Sequence, residues 1–217
     1  MIKIYGVALS PYVRKVLLAL EHKEIEYESV PTFPGDTSPE FSAISPLNKI
    51  PVLEHDGFTV ADSSIICRYI DDVLGGTSIY PENPQERARA CFLEEYADTR
   101  LMECLVGGIF VERFLKPNLR NEPTDEDKVK DTIENQLPPV LSYLEGITPE
   151  TGPLVGDAPS IADIGVLSAF ASGRWGDYHL DAAQYPKLGA YLERANAAPV
   201  LVARQEAEEA FVKAMNS

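Results

Sequence analysis

Apolar and polar positions alternate loosely in "IKIYGV" (2–7), then recur at helical spacing in Val13, Val16, Leu17 and Leu20. The change of period predicts a strand followed by an amphipathic helix that runs to about Lys23. Ser10 is a good N-cap, and Pro11 falls at the first helical position, where a missing N–H costs nothing. "IEYESV" (25–30) reads as a second strand, which makes a βαβ unit. A Pro/Gly/Ser loop (31–41) follows, with one helical turn after it. "IPVLEHDGFTVA" (50–61) reads as a hairpin whose Asp56-Gly57 pair suits a tight turn. Asp62 and Ser63 open a third helix with Ile65, Ile66, Tyr69, Ile70 and Val73 on its expected buried side, and Gly75-Gly76 stops it.

The character changes after "GGTSIYPENP". From Gln85 onward the pattern predicts only helices, at roughly 85–116, 124–146, 160–174, 186–197 and 199–214. "PSIADIGVLSAF" has the clearest start, with Ser160 as cap and Asp163 three residues on as its capping-box partner. The expected organisation is an α/β half (1–76), a linker (77–84) and an all-α half (85–217). Gly107-Gly108 in the long helix predicts a kink or a close helix approach.

Composition narrows the functions. A net charge of −15 over 217 residues repels phosphate backbones and anionic lipid, so neither nucleic acid nor a membrane surface is expected as partner. No apolar run approaches a bilayer span, and the first residues lack a signal-peptide pattern. Cys67, Cys91 and Cys104 form no CxxC pair, and an odd number argues against a disulfide framework. A cytoplasmic location is the expectation. His22, His55 and His179 are scattered and give no metal-ligand spacing, so no metal is expected. No GxSxG elbow, P-loop or GxGxxG is present.

Three stretches, "SPYVRKV", "NKIPVLEHDG" with "ADSSIICRYI", and "PSIADI", stand in one order along the chain. Together with the βαβ, hairpin, helix and helical-bundle layout they resemble cytosolic glutathione transferases of the serine type, whether tau-, phi- or zeta-like or a bacterial relative. The resemblance implies a thioredoxin-like N-terminal domain that binds glutathione as co-substrate, and an all-helical C-terminal domain that carries a wall of the electrophile site. It implies an enzyme that conjugates the glutathione thiolate to a small apolar electrophile, in detoxification, as a homodimer.

Carried over residue by residue, the resemblance makes Ser10 the catalytic hydroxyl that donates a hydrogen bond to the sulfur. Tyr12 is the second choice, and Tyr5 reads as core. A plainer alternative is that Ser10 only caps the helix. Pro51 matches the family's cis-proline, and Ile50 would pair its backbone with the cysteinyl unit. Lys49 would meet the glycine carboxylate, Ser63 the γ-glutamyl carboxylate and Asp62 its ammonium. Asp98 resembles an acidic residue lent across the dimer to that ammonium. Leu9, Tyr12, Phe33, Met102, Leu105, Ile109 and Phe110 are the expected electrophile site, although a stripe of that spacing is also what plain core looks like.

Other readings stay open. A glutathione-dependent peroxidase or an isomerase would use the same hydroxyl. A non-catalytic, transferase-like interaction protein tends to lose the hydroxyl or the ligand cations, and this chain keeps Ser10, Lys49, Asp62 and Ser63.

Overall fold

In the computed structural model, which describes residues 1–215, the N-terminal alternation is strand β1 (Ile2–Tyr5), with Ile2 and Ile4 buried and Lys3 and Tyr5 half-buried. Helix α1 (Pro11–His22) leads to β2 (Glu28–Val30), which lies parallel to β1. β2 is shorter than expected because Glu24 and Ile25 still donate back to Glu21 and Leu20 at 3.1 and 2.9 Å, which spends their N–H groups on the helix end. After α2 (Pro39–Ile44), strands β3 (Val52–His55) and β4 (Phe58–Ala61) form the expected hairpin. Its turn residues Asp56 and Gly57 have φ of 49° and 87°, the positive values that a tight hairpin turn demands. The sheet order is β2-β1-β3-β4, with β3 antiparallel to both neighbours.

Helix α3 (Ser63–Val73) buries Ser63, Ile66, Cys67 and Ile70, a run of i, i+3, i+4 and i+7. Ile65 and Val73 were expected on that stripe. They fall off it and are 53% and 52% exposed. Helix α1 departs in the other direction. Every residue from Val13 to Leu20 is buried, including Arg14 and Lys15, because α1 packs against α3 and against the last helix, α9 (Pro199–Met215).

That packing groups α9 with the N-terminal residues. The expected linker at 77–84 assigned all later residues to one helical half. In the structure residues 1–79 and α9 form one compact unit and residues 80–198 the other. Among the described residues, ion pairs join α9 to α1. The Arg14 guanidinium holds Glu208 through Nε–Oε1 at 2.6 Å and Nη2–Oε2 at 3.0 Å, and Arg204 lies 3.3 Å from Glu21.

The second unit opens with α4 (Pro84–Tyr96), capped by the Asn83 side chain. The same helix continues with i→i+5 bonding as π1 (Ala97–Leu101) and π2 (Glu103–Arg120). Then come α5 (Glu126–Asp131), π3 (Thr132–Gln136), α6 (Leu137–Ile147), α7 (Ile161–Trp175) and α8 (Pro186–Asn196). Gly108 does mark a close approach, because a Cβ there would collide with the Thr132 side chain of π3. Helix α7 is apolar on every side and is buried from Ile161 to Gly173, as expected for a central helix. Its capping box forms. Asp163 Oδ2 accepts from Ser160 N–H at 2.8 Å, while Oδ1 accepts from Leu154 N–H at 2.9 Å and from the Tyr191 hydroxyl at 2.8 Å.

Glu112 is buried on π2 and accepts from Lys116 at 2.6 Å, Lys128 at 2.8 Å and Asp125 N–H at 3.2 Å. Burial alone would raise its carboxyl, but those donors outweigh burial and hold it at about 2 against an ordinary 4.5. A carboxylate depressed in the folded state stabilises it above the unfolded pKa and loses that contribution as pH falls through the folded one. Glu112→Gln is therefore expected to cost about 1–3 kcal/mol at pH 7. The gap between the urea midpoints of wild type and variant should close as pH falls from 4.5 towards 2.

Candidate active site

The first element is the turn between β1 and α1. Ser10 N–H donates to Val7 O at 2.9 Å, and Ser10 O accepts from Arg14 N–H at 2.8 Å. Ser10 is the N-cap, with Oγ accepting from Val13 N–H at 3.5 Å and Pro11 at the first helical position. The cap engages a lone pair on Oγ; the hydroxyl proton is not part of it. Capping and donation to a ligand are therefore compatible.

Tyr5 is set apart from this role. Its hydroxyl donates to Glu54 Oε2 at 2.6 Å, and that carboxylate, with burial, pushes the phenol up to about 12. The Tyr12 side chain lies on the exposed side of α1, at the border of half-buried.

The second element precedes β3. Ile50 is buried, and the Ile50–Pro51 bond is cis. The β1–β3 ladder begins with the Tyr5↔Val52 pair, so the Ile50 backbone lies outside it. Lys49 is exposed, but its backbone is held at both ends by one buried hydroxyl. Ser45 Oγ accepts from Lys49 N–H at 3.0 Å and donates to Lys49 O at 2.7 Å. Gly6 brings this segment to α1, since a Cβ there would stand 2.5 Å from Val13 Cγ2 and 3.5 Å from Ile50 Cβ.

The third element is the start of α3. Asp62 caps it from φ 78° and ψ 126°, a left-handed φ unusual for a residue with a side chain. Its Oδ1 accepts from Ser64 N–H at 3.0 Å and Ile65 N–H at 3.2 Å. Ser63 is buried beside it. The fully buried Lys15 of α1 donates to Ser64 Oγ at 2.9 Å, which sets a cation under the start of α3.

Two of these residues were not singled out from the sequence. Ser45 falls after the 31–41 loop, and its only signal is a spacing of four before Lys49. Lys15 lies between two positions of the α1 apolar stripe, and a lysine there reads as solvated. Conversely, several expected wall residues are spent on packing. Leu9 is buried in the first unit. Met102, Leu105, Ile109 and Phe110 are buried in the second, where Leu105 and Ile109 lie against Gly173 and Gly176 at the end of α7. Phe110 stacks on Phe114 at 5.3 Å, and Phe114 meets Trp175 at the same distance. Met102, Leu105, Ile109 and Phe110 share one buried face of the long helix, as plain core does. Phe33 is exposed in its loop, and Asp98 is half-buried on π1.

What the arrangement can do follows from its donors. Helices α1 and α3 both present N-termini, which favour anions. A free backbone edge at Ile50 suits an extended peptide, and Lys49 and Lys15 supply positive charge. A small anionic peptide fits this set. Among the described residues no group of His, Cys, Asp or Glu has the clustering of a metal site, and no helix is long and apolar enough to cross a membrane.

Comparison with known proteins agrees. The family model for the glutathione S-transferase N-terminal domain matches residues 4–78, and that for the C-terminal domain matches residues 110–206. A glutathione transferase of Zea mays is 42% identical over 101 residues, 46% of either chain. A glutathione S-transferase of Arabidopsis thaliana is 33% identical over 102 residues, again 46% of either chain. The chain thus spans about half the length of the curated relatives it matches. A crystal structure of a Populus trichocarpa glutathione transferase superposes with a TM-score of 0.82 at 27% identity, covering 96% of this chain and 99% of that one.

Removal of the Ser45 hydroxyl tests the clamp on Lys49. Ser45→Ala is expected to lower stability by about 1–2 kcal/mol in urea unfolding and to speed amide hydrogen exchange at Lys49. Unchanged exchange there would show that the loop is held by other contacts.

Proposed function

The chain belongs to the cytosolic glutathione S-transferase superfamily, and we propose that it is a glutathione transferase whose Ser10 holds the glutathione thiolate for attack on a small apolar electrophile. The observation that carries this reading is the Ser10 cap, which uses an oxygen lone pair and leaves the proton to donate. The thiol loses its proton to solvent, and the Ser10 O–H and the N-terminus of α1 stabilise the anion left behind. No residue has to act as a base. The sulfur then forms a bond to the electrophilic carbon, and the leaving group departs with its bonding pair.

The rest of the tripeptide is assigned by chemistry. The Ile50 N–H and C=O extend the β3 edge to the cysteinyl backbone, and the Lys49 ammonium takes the glycine carboxylate. The Ser63 hydroxyl and the α3 N-terminus take the γ-glutamyl carboxylate. Asp62 spends Oδ1 on the helix cap, and Oδ2 is the oxygen that would meet the ammonium. The electrophile rests on Tyr12 and Phe33, since Leu9, Met102, Leu105, Ile109 and Phe110 are buried.

A homodimer fits the exposed apolar side chains of β4 and α3 (Phe58, Ile65 and Val73) and Phe92 of α4, which a partner copy would cover. Asp98 of one copy would then serve the ammonium bound by the other. A reducing cytoplasm suits three cysteines of which none is in a disulfide.

A hydrogen bond to a charged group contributes about 1.5–3 kcal/mol, which corresponds to about one to two pK units. Ser10→Ala is therefore expected to raise the thiolate pKa of bound glutathione by that amount, read by ultraviolet absorbance against pH. The KM for glutathione should change little while kcat near neutral pH falls. An unchanged thiolate pKa in Ser10→Ala, with a raised one in Tyr12→Phe, would transfer the role to Tyr12.

A further inference from the structure

We propose that Glu208, in the C-terminal part of α9, is a positioning residue for the Ser10 hydroxyl and acts through Arg14. The inference rests on the reading of Ser10 given above.

The chain of contacts is short. Arg14 lies one helical turn after Ser10, is 1% exposed, and meets a Glu208 that is 2% exposed. The two side chains are joined by a pair of parallel hydrogen bonds, at 2.6 and 3.0 Å. The same Nη2 that faces Glu208 Oε2 also donates to Leu9 O at 3.5 Å. Leu9 O belongs to the peptide unit that ends at Ser10 N, so holding that carbonyl fixes the plane from which the Ser10 Cα–Cβ bond projects.

The cap bond alone is a poor tether. Val13 N–H to Ser10 Oγ and Arg14 Nη2 to Leu9 O are both 3.5 Å, the long limit of a hydrogen bond, where one contact by itself enforces geometry loosely. The Ser10 N–H to Val7 O bond at 2.9 Å fixes one side of the turn, and on the other side the fork to Glu208, at 2.6 and 3.0 Å, holds the guanidinium whose Nη2 makes the longer contact to the carbonyl.

The ionic character of the pair matters to this role. Burying two charges is costly, and an apolar pair of similar volume would dock α9 on α1 at least as stably. What a carboxylate adds is orientation, because it holds a planar guanidinium by two parallel bonds. The Arg204–Glu21 pair, two turns further along α1, holds α9 without touching the Ser10 turn.

The proposal makes a prediction of sign. If Glu208 acted only through its field, removing its charge would leave Arg14 less neutralised near the sulfur and would lower the thiolate pKa. If it positions Ser10, the thiolate pKa rises. The test is an absorbance titration of bound glutathione in the full-length protein for wild type, Ser10→Ala, Glu208→Gln, the two combined, and the charge swap of Arg14→Glu with Glu208→Arg. Urea midpoints are measured in parallel. The expected result for Glu208→Gln is a rise of about half to one pK unit, a three- to tenfold loss of thiolate at pH below the pKa, with the KM for glutathione within twofold of wild type. Added to Ser10→Ala, Glu208→Gln should do nothing further. The charge swap should recover much of the urea midpoint without recovering the thiolate, since a carboxylate cannot donate to Leu9 O. Should Glu208→Gln fold poorly, Arg14→Lys serves, keeping the charge and losing the fork, with the same expected rise.

If Ser10→Ala raises the pKa and Glu208→Gln leaves or lowers it, the proposal is overturned and the role of Ser10 stands. An equal rise from Glu208→Gln in the presence and absence of the hydroxyl also overturns it. If Ser10→Ala itself has no effect, both fall together.

Discussion

The opening N–H groups of a helix have no partner within it, and the candidate site is built on that constraint twice. Helices α1 and α3 both begin there, capped by Ser10 and by Asp62. Each cap uses only part of its side chain's capacity. Ser10 accepts from Val13 with an oxygen lone pair, and Asp62 accepts twice on one oxygen. What remains is a hydroxyl proton on one side and a carboxylate oxygen on the other. Helix capping and the proposed ligand binding thus draw on one arrangement. The site needs few residues beyond those that would start these helices in any case.

The magnitudes are sufficient without a base. A free thiol has a pKa of about 8.5, and a shift of two units corresponds to about 2.7 kcal/mol. One hydrogen bond to the anion contributes about 1.5–3 kcal/mol and a helix terminus about 0.3–1 kcal/mol. The net charge of −15 opposes any anion, but at physiological salt its reach is about 8 Å. Two cations set locally, Lys49 on the surface and Lys15 under α3, weigh more at the site than carboxylates scattered over distant helices.

Features decided by a few adjacent residues were legible in the sequence. Ser10-Pro11, Asp56-Gly57 and Ser160 with Asp163 each specify a local backbone geometry, and each forms where expected. Two kinds of feature were not legible. One is the role of an apolar stripe. By spacing, Met102, Leu105, Ile109 and Phe110 suit a ligand wall and plain core equally, and in the structure they are buried, with Leu105 and Ile109 against the end of α7. The other depends on partners distant in the chain. Periodicity assigns charge to the outside of a helix, so nothing singles out Arg14 and Lys15, and only the arrival of α9 and α3 encloses them. For the same reason α9 looked like one more helix of the bundle. Nothing in residues 199–214 announces a partner nearly two hundred positions earlier. Ile65 and Val73 err in the opposite direction, being apolar side chains without cover within their own unit.

The buried charges separate into two kinds by what encloses them. Glu112 is buried, yet Lys128 beside it is half in water and the cluster gathers neighbouring stretches of one helical unit. Its ions act as a local clasp, and the loss of one donor leaves others. Arg14 and Glu208 are enclosed at both ends, 194 positions apart, so neither can turn to solvent if the other moves. A pair of that kind is a weak source of stability and a strong source of direction. Apolar side chains would fix how far α9 stands from α1, but a planar fork also fixes how the guanidinium is turned. Through Nη2 and Leu9 O that orientation reaches the peptide that carries Ser10.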